Sequence, residues 1–293
     1  MFSCNLAKVH QNKLSKKYTK KGFQEKLFVH DGSKMNYQEG GEGETVVLIH
    51  GFGGDGKITW ESAARYLVDD YHVVVPDLLW FGKSESTSEP SLQLQVDVLS
   101  KLIESLKVKQ VTLVGISYGG FVSLGISLKK KEVIKQTIIV DSPGMTYDIS
   151  LLDSLFSQND VASVQDIFVP NNGDEVQRLF DIAFYKDKKI PGFIRPAVYE
   201  LYFSQHHEQL SKLLASLPAE KEKFQQHKRT DFPEKVSLIW GEFDEVFPMA
   251  EGHKLAKYFG TDVQVVPDAG HAPNIEQTKI FNQQLINLLK AAK

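Results

Sequence analysis

Apolar and polar positions along the chain follow two periods. Short runs rich in β-branched and other apolar residues fall at 26–31, 35–38, 45–50, 72–76, 111–116, 136–140, 236–240 and 262–266, and they predict strands. Longer stretches with apolar residues at helical spacing lie between them, at roughly 58–69, 91–106, 118–130, 249–259 and 276–291. The last places Ile280, Leu285, Leu288 and Leu289 on one stripe. Strands apolar on both faces, separated by amphipathic helices, predict an α/β architecture with a mostly parallel, doubly wound sheet. The first two runs flank Asp31-Gly32 and predict an opening hairpin.

The alternation stops after Pro143. About 85 residues then pass without a convincing strand, too many for a simple crossover loop. Helical periodicity occupies 150–156, 175–184 and 197–217, with breaks at Pro170, Asn171-Asn172-Gly173 and Pro191-Gly192. The pattern predicts a helical cap, or lid, at 145–230, inserted after the sixth strand of a core formed by 26–144 and 231–293. An N-terminal basic extension, 1–25, precedes it.

Composition narrows the function classes. A chain of 293 residues, 42% hydrophobic and 24% charged, reads as one large globular domain with an insertion. A formal charge of −3 and the lack of any nucleic-acid-binding motif argue against a nucleic-acid partner. The single cysteine, Cys4, excludes an intramolecular disulfide and suits a reducing, cytoplasmic setting. Residues 1–27 carry Lys8, Lys13, Lys16, Lys17, Lys20, Lys21 and Lys26 but no apolar stretch of signal-peptide length. They read as a mobile, solvated basic arm, with contact to an anionic membrane surface as the alternative. No apolar run is long enough for stable membrane insertion. The pattern specifies no oligomeric state.

Candidate chemistry lies at the strand ends. Gly115-Ile116-Ser117-Tyr118-Gly119 matches G-x-S-x-G between a predicted strand and a predicted helix, where a sharp turn exposes a strained serine. A serine hydroxyl is a weak nucleophile and needs a base, an acid that orients the base, and donors for an oxyanion. Pro267-Asp268-Ala269-Gly270-His271-Ala272-Pro273 places His271 on a loop after a strand, as candidate base. Asp244, in Gly241-Glu242-Phe243-Asp244 beyond another strand, is the candidate acid, and Asp141, at the end of 136–140, is the other.

The order Ser117, Asp244, His271, with these motifs, resembles the α/β-hydrolase superfamily, and within it lid-bearing serine esterases and lipases of the monoacylglycerol lipase type. The resemblance runs from about residue 26 to the end. His50-Gly51-Phe52-Gly53-Gly54 is similar to the family's H-G-x-G-G loop, Gly241, Asp244 and Pro248 to its acid loop, and Gly270-His271 to its histidine loop. The resemblance implies that the backbone N–H groups of Phe52 and Tyr118 form an oxyanion hole. It also implies hydrolysis of a small-molecule ester, of short to medium acyl length, without a cofactor. One departure stands out: in Asp77-Leu78-Leu79-Trp80-Phe81-Gly82-Lys83-Ser84, Trp80 replaces the first glycine of the family's D-x-x-G-x-G-x-S. A bulky indole there would wall the pocket or pack under the lid, and Trp80 and Phe52 are the candidate pocket residues.

Other readings of the same residues are weaker. His50 lacks the companions of a metal site, so no metal is expected. The 51–54 glycines lack the G-K-[ST] that a phosphate loop needs, and His206-His207 read as solvated. Apolar lid residues, including Leu155, Phe156, Phe168, Phe180, Phe184, Phe193, Tyr199, Tyr202 and Phe203, read mostly as core, with a subset facing an acyl pocket. Relatives with the same triad hydrolyse carbon–carbon bonds in dienone acids, which would call for a lid arginine, Arg178 or Arg195, facing Ser117. A ligand receptor built on a slow hydrolase is the third reading.

Overall fold

The computed structural model describes residues 2–146 and 153–292. Residues 150–152 of the predicted stretch 150–156 lie outside that range, as do the side chains of residues 2–8, among them Cys4 and Lys8.

The chain opens with helix α1 (Phe2–Lys20), then strands β1 (Gln24–His30) and β2 (Ser33–Gly40), which pair antiparallel. Their turn holds Asp31 and Gly32 at positive φ (44° and 73°), a backbone state that Asp and Gly tolerate best. β3 (Thr45–Ile49), β4 (His72–Pro76), β6 (Val111–Ile116), β7 (Ile134–Val140), β8 (Val236–Gly241) and β9 (Val263–Val266) follow, with a two-residue β5 (Glu85–Ser86). The sheet order is β1-β2-β4-β3-β6-β7-β8-β9, with β5 on β2. β2 pairs antiparallel with β4 and β5, and along the run β4-β3-β6-β7-β8-β9 every pairing is parallel. The alternating pleat sends neighbours to opposite faces. Val46 and Leu48 join one core, with α2 (Gly56–Leu67) and α12 (Thr278–Lys290); Val47 and Ile49 join the other, with α3 (Leu92–Ser105), α4 (Tyr118–Lys129) and α10 (Met249–Phe259). Two-sided burial explains why these strands read as unbroken apolar runs. Each large side chain fully buried in this way contributes about 1.5–3 kcal/mol.

Between β7 and β8 the described residues contain no strand. They form α5 (Asp153–Asn159), α6 (Val164–Phe168), α7 (Gly173–Ala183), α8 (Arg195–Tyr202) and α9 (His207–Gln225). The predicted helix 197–217 is broken at 203–206 into α8 and α9. Because β5 was too short to foresee, this insertion follows the seventh strand of the chain, the sixth of the predicted set. A last short helix, α11 (Pro273–Glu276), precedes α12.

The N-terminal segment departs from expectation. It is a docked helix rather than a mobile arm: Leu14 and Tyr18, four residues apart on one face, are 2% and 0% exposed. The Tyr18 hydroxyl donates to the Lys57 carbonyl at 3.2 Å, and Gln11 Nε2 donates to Asp55 Oδ2 (3.0 Å) and the Tyr202 hydroxyl (2.7 Å). α1 thereby ties α2 to α8, while Lys13, Lys16, Lys17 and Lys20 stay in solvent. β1 starts at Gln24, so the expected boundary at residue 25 falls inside a strand.

Candidate active site

Ser117 sits between β6 and α4 with φ 53° and ψ −122°, a strained backbone for a residue with a Cβ. Its flanking glycines make that turn feasible. A Cβ on Gly115 would lie 2.2 Å from the Gly119 carbonyl oxygen, and one on Gly119 would lie 2.3 Å from that of Ile49. The glycines thus serve close packing, Gly115 against the first turns of α4 and Gly119 against the end of β3.

The structure brings Ser117, His271 and Asp244 into one hydrogen-bonded line. His271 Nδ1 lies 2.9 Å from Asp244 Oδ2, and His271 Nε2 lies 2.9 Å from Ser117 Oγ. A carboxylate only accepts, so Nδ1 carries the hydrogen and Nε2 is left to accept the Ser117 O–H. Asp244 Oδ1 accepts the amides of Val246 (2.8 Å) and Phe247 (3.0 Å), which fixes the carboxylate's orientation. Phe247 packs edge-on against the imidazole at 5.5 Å. Asp141 does not reach His271; its Oδ1 accepts the Gly241 amide at 2.7 Å.

The β3–α2 loop passes directly over the serine: a Cβ on Gly51 would come 2.8 Å from Ser117 Cβ. Phe52 is held edge-to-face between Phe81 (5.1 Å) and Tyr118 (5.2 Å). The Tyr118 amide is the first of α4 and has no carbonyl one turn back within the helix to bond. His50 is fully buried, and both ring nitrogens are used: Nδ1–H donates to the Gly51 carbonyl (2.7 Å) and Nε2 accepts the Leu78 amide (2.9 Å). Burial pushes its pKa down to about 4, so the ring is neutral and structural. Among the described residues no group of His, Cys, Asp and Glu side chains is arranged to hold a metal.

A cavity of about 420 Å³ opens at Ser117 and His271. Its walls come from the β3–α2 loop and α2 (Phe52, Ile58), from the insertion (Phe168, Leu179, Phe180, Phe184) and from the α11 region (Asn274, Ile275). Of the lid residues singled out in the sequence, Phe168, Phe180 and Phe184 reach it. Leu179 was missed, although it shares a helical stripe with Val176 and Ala183. Phe52 lines the cavity. Trp80 does not: it is 2% exposed in the core with Phe81 and Leu92, at φ 68°. The Trp80 backbone occupies a left-handed position that suits glycine, and its indole is buried in the core. His206 and His207, at the start of α9, do not line the cavity. Arg178 donates to the Asp166 carbonyl and Arg195 to the Ile190 carbonyl, and neither lines the cavity. Among the described residues Lys188, its ammonium 4.3 Å above the Phe184 ring, is the cation that borders the cavity.

A family model described as the alpha/beta hydrolase fold matches residues 44–278. Lipase 1 of Psychrobacter immobilis is 27% identical over 258 residues, covering 85% of this chain and 78% of that protein. The 2-hydroxy-6-oxononadienedioate/2-hydroxy-6-oxononatrienedioate hydrolase of Escherichia coli K12 is 25% identical over 278 residues, covering 87% and 91%. Among solved structures, a provisionally assigned lipase from Acinetobacter baumannii AYE superimposes with a TM-score of 0.82 over 96% of both chains at 22% identity, a likeness of fold.

Proposed function

The chain belongs to the α/β-hydrolase fold family, and from that membership we propose that it is a serine hydrolase of the esterase or lipase type, cleaving carboxylic esters through an acyl-enzyme. The observation that carries the proposal is the line of two 2.9 Å contacts from Ser117 Oγ through His271 to Asp244, at the floor of an apolar cavity.

In this reading Ser117 Oγ attacks the ester carbonyl while His271 Nε2 takes its proton. Asp244 holds the imidazole by Nδ1–H and stabilises the imidazolium that forms. The amides of Phe52 and Tyr118 stabilise the tetrahedral oxyanion, which collapses as His271 returns the proton to the leaving alcohol. Water, activated by the same imidazole, then hydrolyses the acyl-enzyme. The insertion serves as a lid whose Phe168, Phe180 and Phe184 accept the acyl chain. The cavity's volume suits a short to medium chain. No residue of this scheme calls for a cofactor. Among the described residues no helix is long and apolar enough to cross a membrane; the single cysteine supports a reducing, cytoplasmic location.

Carbon–carbon bond hydrolysis is the second reading, favoured by the likeness to the dienedioate hydrolase. Neither lid arginine lines the cavity, so a carboxylate-bearing substrate would have to be met by Lys188 at its border. Hydrolysis of p-nitrophenyl esters of increasing acyl length, in parallel with a dienone acid, separates the two. Turnover that peaks at one acyl length supports the esterase. Turnover of the dienone acid alone replaces it, and tight binding with negligible turnover of either points to a receptor.

A further inference from the structure

Asp141, after β7, and Asp244, after β8, meet side by side at the carboxyl ends of adjacent strands. Asp141 is 0% exposed and Asp244 5%. The backbone registers them: the Gly241 amide donates to Asp141 Oδ1 at 2.7 Å, while the Gly241 carbonyl accepts the Asp244 amide at 3.3 Å. Both are thus anchored to the backbone of Gly241, and Asp244 acts on the Asp141 carboxyl through its charge and through a side-chain hydrogen bond. Their surroundings are unequal. Asp244 receives three donors, the amides of Val246 and Phe247 and His271 Nδ1–H. Asp141 receives one, and its Oδ2 has no donor directed at it.

Two buried carboxylates in contact cannot both stay ionised, because each is desolvated and repelled by the other. The charge settles where the donors are, on Asp244. We propose that Asp141 is a positioning residue for the Ser117–His271–Asp244 line: a neutral carboxylic acid whose Oδ2–H donates to the Asp244 carboxylate. The inference rests on the reading of that line as a hydrolytic triad. Burial and the Asp244 charge both hold the Asp141 carboxyl well above the usual carboxylate range. Around Asp141 stand Asp244 on the β8 loop, Glu276 on α11 and, beyond Asp244, His271 on the β9 loop; none supplies a cation in contact with it.

The consequence concerns His271. A further donor to Asp244 spreads its negative charge and weakens its hold on the imidazolium that forms during turnover, so loss of that donor should be felt in the acid limb of the pH profile. Asp141 itself has φ 44°, a region that Asn also tolerates. Asp141→Asn is therefore a neutral donor of the same shape on the same backbone.

The test pairs an infrared measurement with a pH profile on the intact protein. At about pH 8, well above the ordinary carboxylate range, the wild-type-minus-D141N difference spectrum should show the carbonyl stretch of a protonated carboxylic acid. In the pH profile of kcat/KM, the acid-limb midpoint of D141N should match wild type. D141A lacks the donor, and its midpoint should rise by about half a unit or more, with kcat/KM lowered about three- to tenfold. Absence of the acid band overturns the proposal. So does a D141N midpoint about one unit lower, the signature of removing a negative charge, or an unshifted D141A. The infrared result and the D141N profile decide the matter even where D141A fails to fold. The infrared result does not depend on the role of Ser117, so its failure is distinct from failure of the esterase reading.

Discussion

Glu276 Oε1 accepts the amide of Gly270 at 2.7 Å, one residue before His271. Its Oε2 takes the amides of Tyr185 (2.9 Å) and Lys186 (3.4 Å), just beyond α7, and the His271 amide donates to the Ala183 carbonyl at 2.9 Å. One carboxylate on α11 thus fastens the histidine loop to the end of the lid helix, and His271 is positioned partly by the insertion. Glu276→Ala removes the acceptor for three amides, of which each buried one costs about 1–3 kcal/mol when left unpaired. We expect kcat to fall about tenfold or more together with a lower Tm, and Glu276→Gln, which keeps one acceptor oxygen, to lie between. Wild-type kcat in Glu276→Ala would show that the loop holds its place without this clamp.

Gly119→Ala tests the packing of the serine turn. Its Cβ would meet the Ile49 and His50 carbonyl oxygens at 2.3 and 2.6 Å, backbone atoms that cannot swing aside. Overpacking of this kind costs about 1–3 kcal/mol or more. Urea unfolding should register that loss, and ester turnover should fall further than stability alone explains, because Ser117 shifts with α4.

α1 should be integral to stability. Tyr18→Ala empties a fully buried aromatic site, expected to cost about 3–5 kcal/mol. Tyr18→Phe removes only the bond to Lys57 O, about 1 kcal/mol. Gln11→Ala cuts the link between Asp55 and Tyr202 and should loosen α8 more than the sheet, read as faster amide exchange in α8. Uniform exchange in all three variants would mean that α1 is not coupled to the lid.

Two buried groups give stability opposite pH dependences. His50, held at about 4 against an ordinary 6.5, is neutral in the fold, so its contribution is present above about 6.5 and is lost as pH falls through about 4. Asp77 is raised from 3.8 to about 7, first by burial and then by Asp55. The fold therefore keeps a proton that the unfolded chain releases, and this contribution is present below 3.8 and is lost as pH rises through about 7. Asp77→Asn removes the second dependence alone. Measured by urea unfolding, its stability relative to wild type should rise with pH up to about 7 and then level off; a pH-independent difference contradicts the assignment.

Much of the fold was legible because two-sided burial writes strands such as β3, β6 and β8 as apolar runs and their helices as amphipathic stripes. The residues brought together at the site were legible because their chemistry sits at strand ends, where glycines mark the turns. What stayed hidden depends on tertiary partners. Leu14 and Tyr18 are isolated among lysines, so nothing local says that they dock on α2. Glu276, Gln11 and Asn274, whose Nδ2 donates to the Thr59 carbonyl at 2.7 Å, are ordinary polar residues until a distant amide, hydroxyl or carbonyl faces them. Trp80 reads as a pocket wall because nothing in the sequence tells an inward from an outward indole. The break between α8 and α9, at 203–206, carries no glycine or proline, and β5 is too short to have a period.

The central claim is that Ser117 is the nucleophile that becomes acylated. Treatment of the protein with a fluorophosphonate ester, followed by peptide mass spectrometry, tests it directly, with Ser117→Ala as the paired control. We predict a single stoichiometric adduct on the peptide containing Ser117, loss of ester turnover in step with labelling, and neither adduct nor turnover in Ser117→Ala. Undiminished ester turnover in Ser117→Ala, or an adduct on another residue that tracks inactivation, would contradict the account.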